Sequence, residues 1–118
     1  MSDIDPVERE KQRALTRALW ETLVQGGVAP GQPGRITSVL FAPNRAAADV
    51  LLDRFRTESG GWASDVQPIP DPPERLCVSI LSPTVALTLE AFLELVDVML
   101  VAAQETGCTF DGFELEQR

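Results

Sequence analysis

Asp111 and Glu114, three residues apart near the end of the chain, are the nearest the sequence comes to a catalytic pair. Two carboxylates serve as general acid and base when a pocket drives their pKa values apart. On a regular strand their odd spacing turns them to opposite faces, so no such pair is expected. Other chemistry is scarcer still. The sequence has no His and no Tyr, and Lys11 is its only lysine. Histidine bases, histidine metal ligands and the Ser-His-Asp and Cys-His arrangements are therefore absent. Cys77 and Cys108 are expected to be free, buried thiols behaving as small hydrophobes. Without histidine they make a poor metal set, and Cys108 follows a helix C-terminus, which offers a nucleophile no activation. Gly26-Gly27 and Gly60-Gly61 lack the strand, helix and Lys or Ser/Thr offsets of a phosphate loop and read as helix stops. Arg54 and Arg56 flank Phe55 with Asp53 and Glu58 nearby, a solvated face. No catalytic, cofactor-binding or metal-binding residue is expected, and the chain is read as a non-enzyme. An active site would have to unite Asp111 or Glu114 with Arg35 or Arg75.

Residues suited to presenting a surface are easier to find. Trp62 follows a glycine pair at the start of an expected edge strand, where an aromatic either packs into the core or meets a partner. Glu90, Glu94 and Asp97 form the narrow polar strip of a long apolar helix. Phe110, Asp111, Gly112, Phe113 and Glu114 close the chain with aromatics around an Asp-Gly pair, a pair that permits a bulge or a close backbone approach.

The elements that must position these residues follow from periodicity. Asp5-Pro6-Val7-Glu8 is a helix start, and a helix is predicted to about Gln25, ended by Gly26-Gly27. Leu15, Leu19 and Leu23, beside Ala18 and Thr22, are its predicted inner face. Residues 28–34 (VAPGQPG) read as a linker without periodicity. Residues 35–42 (RITSVLFA) read as a strand. A helix then begins at an Asn44 cap and carries Ala48, Leu51, Leu52 and Phe55 on one face. Residues 62–67 alternate as a half-buried strand, a proline-dense turn spans 68–73, and residues 75–81 form another strand with Leu76, Val78 and Ile80 on one face. A third helix lies between Pro83 and Thr106. Its main stripe is Leu89, Phe92, Leu93, Val96, Met99, Leu100 and Ala103, and Ala91, Leu95, Val98 and Ala102 make a second. One sheet cannot bury both, so the N-terminal helix or a second copy must cover the surplus. The last strand runs from Phe110 to Glu116, with Phe113 and Leu115 alternating inward.

Strand, helix, strand, strand, helix, strand is the order of a ferredoxin-like split βαβ domain, and an α+β fold is predicted: a four-stranded antiparallel sheet with two helices on one face and an additional N-terminal helix. The first and third strands are predicted to be central. Residues 1–34 form the appended helix and linker, and residues 35–118 the ferredoxin-like domain.

Length and charge bound the rest. One hundred and eighteen residues, 44% of them hydrophobic, make one domain able to bury a core. The net charge is −8, and its distribution is uneven: residues 76–118 hold seven acids against Arg118 alone. Such a surface disfavours nucleic acid and anionic lipid and favours a basic partner. The apolar run from Leu81 to Ala103 is long enough to resemble a membrane span, but Glu90, Glu94 and Asp97 interrupt it. The polar N-terminus carries no signal-peptide pattern, so a cytoplasmic monomer without cofactors is expected.

The segment from Glu105 to Glu114 (ETGCTFDGFE) resembles the closing signature of the regulator of ribonuclease E activity B family. Its members run from their last helix through a Gly-containing stretch into a Tyr-Asp-Gly-Trp-type strand. Here the aromatic positions are Phe110 and Phe113 around a retained Asp111-Gly112. The charged N-terminal helix before a proline-bearing linker, Arg45-Ala46-Ala47-Ala48, and Ile80-Leu81-Ser82 ahead of the long helix extend the similarity. The resemblance implies a ferredoxin-like domain that binds ribonuclease E, or another basic protein, and lowers RNA processing without catalysis of its own. It assigns functional positions only at Phe110, Asp111, Gly112 and Phe113. Better-studied members carry an acidic tail after the motif, whereas this sequence stops four residues after Glu114, and its acid excess is expected to serve instead. A small-molecule-sensing ferredoxin-like domain is the alternative expectation, and it requires a concave pocket with convergent polar groups.

Overall fold

The computed structural model describes residues 5–56, 61–69 and 75–115, with Leu115 described by its backbone alone. In chain order the elements are α1 (Pro6–Gln25), β1 (Pro33–Gly34), β2 (Ile36–Ala42), α2 (Arg45–Arg56), β3 (Ala63–Pro68), β4 (Leu76–Leu81), β5 (Val85–Ala86), α3 (Leu89–Thr106) and β6 (Thr109–Leu115).

Helix α1 starts and stops where its caps predict. The Asp5 side chain accepts a hydrogen bond from the Val7 N–H at 2.9 Å, and the Gly26 N–H donates to the Thr22 carbonyl. Its inner face is not the leucine stripe. Gln12 and Thr16 are buried, Leu19, Trp20 and Leu23 are half-buried, and Leu15 is 54% exposed. The cause is the anchoring on α3. Arg9 and Arg13 reach Asp97 and the Trp20 ring sits 5.8 Å from Phe92, which rolls the helix until Leu15 faces outward. The two buried polar groups of α1 are satisfied. Gln12 Nε2 donates to Glu8 Oε1 at 3.1 Å and more weakly to the Phe110 carbonyl at 3.5 Å, while Thr16 Oγ1 donates to the Gln12 carbonyl at 2.7 Å.

Residues read as linker and helix start instead pair with each other. Pro33 and Gly34 of β1 lie opposite Ala86 and Val85 of β5, and the Leu87 N–H donates to the Gln32 carbonyl at 2.8 Å. A Cβ on Gly34 would come within 2.7 Å of the buried Leu87 side chain, so this ribbon tolerates no larger residue there without movement. Helix α3 accordingly begins only at Leu89, where Thr88 Oγ1 accepts from the Ala91 N–H at 3.1 Å.

The main sheet has the order β3-β4-β2-β6 with every neighbouring pair antiparallel, so β2 and β4 are central as predicted. Ile36, Ser38, Leu40 and Ala42 of β2 and Val78 and Ile80 of β4 face the helices and are buried. Ala48, Leu51, Leu52 and Phe55 of α2 join them, as do Phe92, Val96, Met99, Leu100 and Ala103 of α3. From the second stripe of α3, Leu95 and Ala102 are buried and Val98 is 44% exposed. Both α1 and α2 pack on α3, and Arg54 of α2 pairs with Glu105. This is an α+β fold with three helices and a four-stranded antiparallel sheet among the described residues, compatible with a ferredoxin-like fold. None of those helices is long and apolar enough to cross a membrane. Gly60, most of the proline turn, Glu116 and the inward side chain expected of Leu115 lie outside the described residues.

Candidate functional site on the open face of the sheet

The residues singled out by sequence do not converge on one spot. Trp62 is half-buried with its ring 5.0 Å from Phe55, and it borders a recess of about 120 Å³ with Leu52, Arg56 and Ser64. That volume is small beside the roughly 300–1,000 Å³ of small-molecule sites. Glu90 and Glu94 are exposed on α3 and form no ion pair among the described residues. Asp97 is already engaged. Arg9 donates to its two carboxylate oxygens through Nε at 2.9 Å and Nη2 at 2.8 Å, and Arg13 adds a longer contact at 3.5 Å. The hydrogen bonds from Arg9, aided by the charges of Arg9 and Arg13, hold the Asp97 carboxyl below the usual range despite partial burial. Asp97 therefore joins α1 to α3 and is not a free acid of a binding strip.

The closing motif is divided by a bulge. Leu40 pairs with Phe110 and Val39 with Gly112, leaving Asp111 as the extra residue of β6. Gly112 has φ +146°, a conformation that disfavours any side chain. With the extra residue absorbed, Phe110 and Phe113 both turn toward the helices. Their rings are 5.1 Å apart, and Phe113 meets Phe92 edge-on at 5.6 Å. The aromatics of the motif thus belong to the packing that seats α1 and α3 on the sheet. The same bulge leaves Asp111 and Glu114 exposed on the opposite side. The expectation that odd spacing separates them fails because it assumes an unbroken strand.

That opposite side is where a site assembles. No described helix covers it. Across the strands in the order β3, β4, β2, β6 its residues form three rows: Ala63, Leu81, Thr37, Glu114; Asp65, Ser79, Val39, Gly112; and Gln67, Cys77, Phe41, Thr109. Val39, Phe41, Cys77 and Leu81 are half-buried, yet they do not belong to the core cluster on the helix side. They form an apolar centre. Carboxylates border it on both edges, Asp65 on β3 and Asp111 and Glu114 on β6, and Arg75 lies at one end with its guanidinium 5.0 Å from the Phe41 ring. Cys77 reports the resulting field. Burial first, then the charges of Glu114, Asp111 and Asp65, push its thiol pKa up, so the thiol stays protonated and unreactive at neutral pH.

Sequence reasoning missed Asp65, Cys77 and the apolar centre. One signal was present: in Ile36–Ala42 both parities are apolar beyond Ser38, whereas a strand with one solvated face alternates with polar residues. The described residues contain no cluster of His, Cys, Asp and Glu able to hold a metal ion. Among the described residues of this face no acid is paired with a base over a pocket. What it can do is hold an apolar and cationic surface. No protein-family model matches the chain, and no curated protein matches it.

Proposed function

We propose that the chain is a non-enzymatic, protein-binding regulator built on a ferredoxin-like split βαβ sheet, and that it captures an arginine-rich segment of ribonuclease E or of another basic protein in the cytoplasm. The observation that supports this reading is the open sheet face, where an apolar centre lies between Asp65 on one edge and Asp111 and Glu114 on the other. An apolar surface bordered by carboxylates that form no ion pair among the described residues, with Asp65 accepting a hydrogen bond from Gln67 Nε2 at 3.0 Å, favours a partner carrying both apolar groups and cations. Two such faces, each on a chain of net charge −8, repel one another, which favours a monomer over a homodimer. The resemblance of Phe110-Asp111-Gly112-Phe113 to the regulator of ribonuclease E activity B family agrees in partner type. It is Asp111 of this motif, and not the phenylalanines, that the reading places against the partner.

The test is a binding assay between the full chain and the arginine-rich region of a ribonuclease E at low and physiological salt. Binding that weakens with salt and is lost in the triple variant D65N/D111N/E114Q is expected. No binding even at low salt rejects the reading.

A further inference from the structure

The shape of the open face constrains the conformation of whatever it holds. We infer that its occupant is an amphipathic α-helix lying along the strands, with its apolar stripe on Val39, Phe41 and Leu81 and with lysines or arginines on both flanks of that stripe. This rests on the capture of a basic segment argued above. Three arguments select a helix. First, an extended peptide satisfies its backbone by pairing with a sheet edge, not with a face. Laid over Val39 and Phe41 it would leave N–H and C=O groups facing apolar side chains without partners, whereas a helix brings its own hydrogen bonds. Second, the width fits. Three strand spacings separate β3 from β6, about 14 Å, and a helix with its side chains is about 10–12 Å across. Long cationic side chains on both flanks can then reach carboxylates on both edges while their stems cover the apolar rim.

Third, the spacing along the strand fits. Asp65 is level with Val39 and Gly112, and Glu114 lies one row away, level with Leu81. Asp111 sits beyond Gly112 in the bulge, so Asp111 and Glu114 are separated along β6 by about 7–10 Å. Residues i and i+4 of a helix are about 6 Å apart along its axis, and i and i+7 about 10 Å. Two cations on one flank at such a spacing meet Glu114 and Asp111, and one on the other flank meets Asp65.

The probe is a peptide of about 16 residues, roughly 24 Å long as a helix, made of Leu, Ala, Lys and Arg with leucines at helical spacing and cations on both flanks. Its control has the same composition with the leucines scrambled around the helix. Fluorescence anisotropy at about 0.15 M salt, where the Debye length is about 8 Å, gives affinity. Circular dichroism gives the helicity that the peptide gains on binding. The amphipathic peptide is expected to bind at least about tenfold tighter than the control and to become helical. D65N and D111N, which change exposed side chains isosterically, are each expected to weaken it by up to about fivefold, the scale of an exposed ion pair. Val39→Ser, checked by its melting curve, is expected to abolish the preference over the control. Equal binding of both peptides, or binding without induced helix, overturns the inference while leaving capture of a basic segment intact. Binding of the amphipathic peptide together with failure of the ribonuclease E region rejects that partner and keeps the helix. Failure of every probe rejects both.

Discussion

Removing Asp111 altogether is expected to cost the fold little and the open face much, which is unusual for a deletion inside a strand. A one-residue change of register ordinarily turns every following side chain to the other face. Deleting Ser79 from β4 forces one half of that strand to turn over. Either Val78 or Ile80, both fully buried, is then lost from the core. The expected cost is about 2–5 kcal/mol, a melting temperature lower by roughly 10–25 °C in a chain of this size. Asp111 is different because it is the residue that the ladder skips. With it gone, Phe110, Gly112 and Phe113 already stand opposite Leu40, Val39 and Ser38 in unbroken alternation, and no buried side chain changes face. The melting temperature of the deletion variant is expected to lie within about 5 °C of the parent, corresponding to about 1 kcal/mol. Gly112 supplies an internal check. In the parent its φ of +146° makes G112A costly, by about 1–3 kcal/mol. In the regularised strand it relaxes, and the same substitution becomes neutral or stabilising by up to about 1 kcal/mol. Thermal melts of the four chains complete the cycle. A deletion variant that melts as low as the Ser79 deletion, or a G112A cost that is the same in both backgrounds, refutes the bulge as the device that seats Phe113.

Other perturbations test separate parts of the structure. D97N removes the carboxylate that holds Arg9 and Arg13, so α1 amides are expected to exchange faster while those of β2 do not. The pH dependence has a definite sign: Asp97 has a lowered pKa in the folded state, so its contribution is present above the ordinary carboxylate pKa and is lost as pH falls through the folded value. Trp20 fluorescence followed in acid is expected to show α1 loosening only below the usual carboxylate range, and in D97N this dependence disappears. Ser38 Oγ is fully buried without a hydrogen-bond partner among the described residues, so S38A is expected to raise stability by up to about 1 kcal/mol in urea melts. In a Cys108→Ala background, alkylation of Cys77 at neutral pH is expected to be slow and to speed up in D65N/D111N/E114Q, because the three carboxylates raise its pKa. An unchanged rate would mean that they do not share its face.

Helix ends and strand parities were legible because caps and alternation are local. Asp5, Asn44 and Gly26 act where their chemistry places them, and the buried sets of α2 and α3 follow their 3.6-residue stripes. The face of α1 was not legible. Three leucines outvote Gln12 and Thr16 in any periodicity count, and only the positions of Asp97, Phe92 and the Phe110 carbonyl, all far along the chain, make the polar pair the better one to bury. The two-residue ribbon of β1 and β5 is too short to carry a period. The site itself was half visible. Asp111-Gly112 marked a possible bulge, but its consequence, a pair of phenylalanines on one face and a pair of acids on the other, depends on register against β2. Asp65 joins that pair only through a sheet order that no local spacing encodes.

The position of β2 bears on how the chain is made as well as on what it holds. This strand leaves a ribosome before both of its neighbours, β4 and β6, and Ile36 finds its partner Leu115 only once β6 has been made. Until β4 emerges β2 is a nascent segment with apolar groups on both faces and no ladder on either side, and until β6 emerges one of its edges stays unpaired. Its contacts are of high sequence separation, which slows folding and leaves little for a truncated chain to fold around. Loss of β6 would strip the central strand of one whole edge, and α1 of the carbonyl and aromatic surface beneath it. The folded domain is therefore expected to appear in one step once β6 is free to pair, with α1 docking onto residues translated long after it.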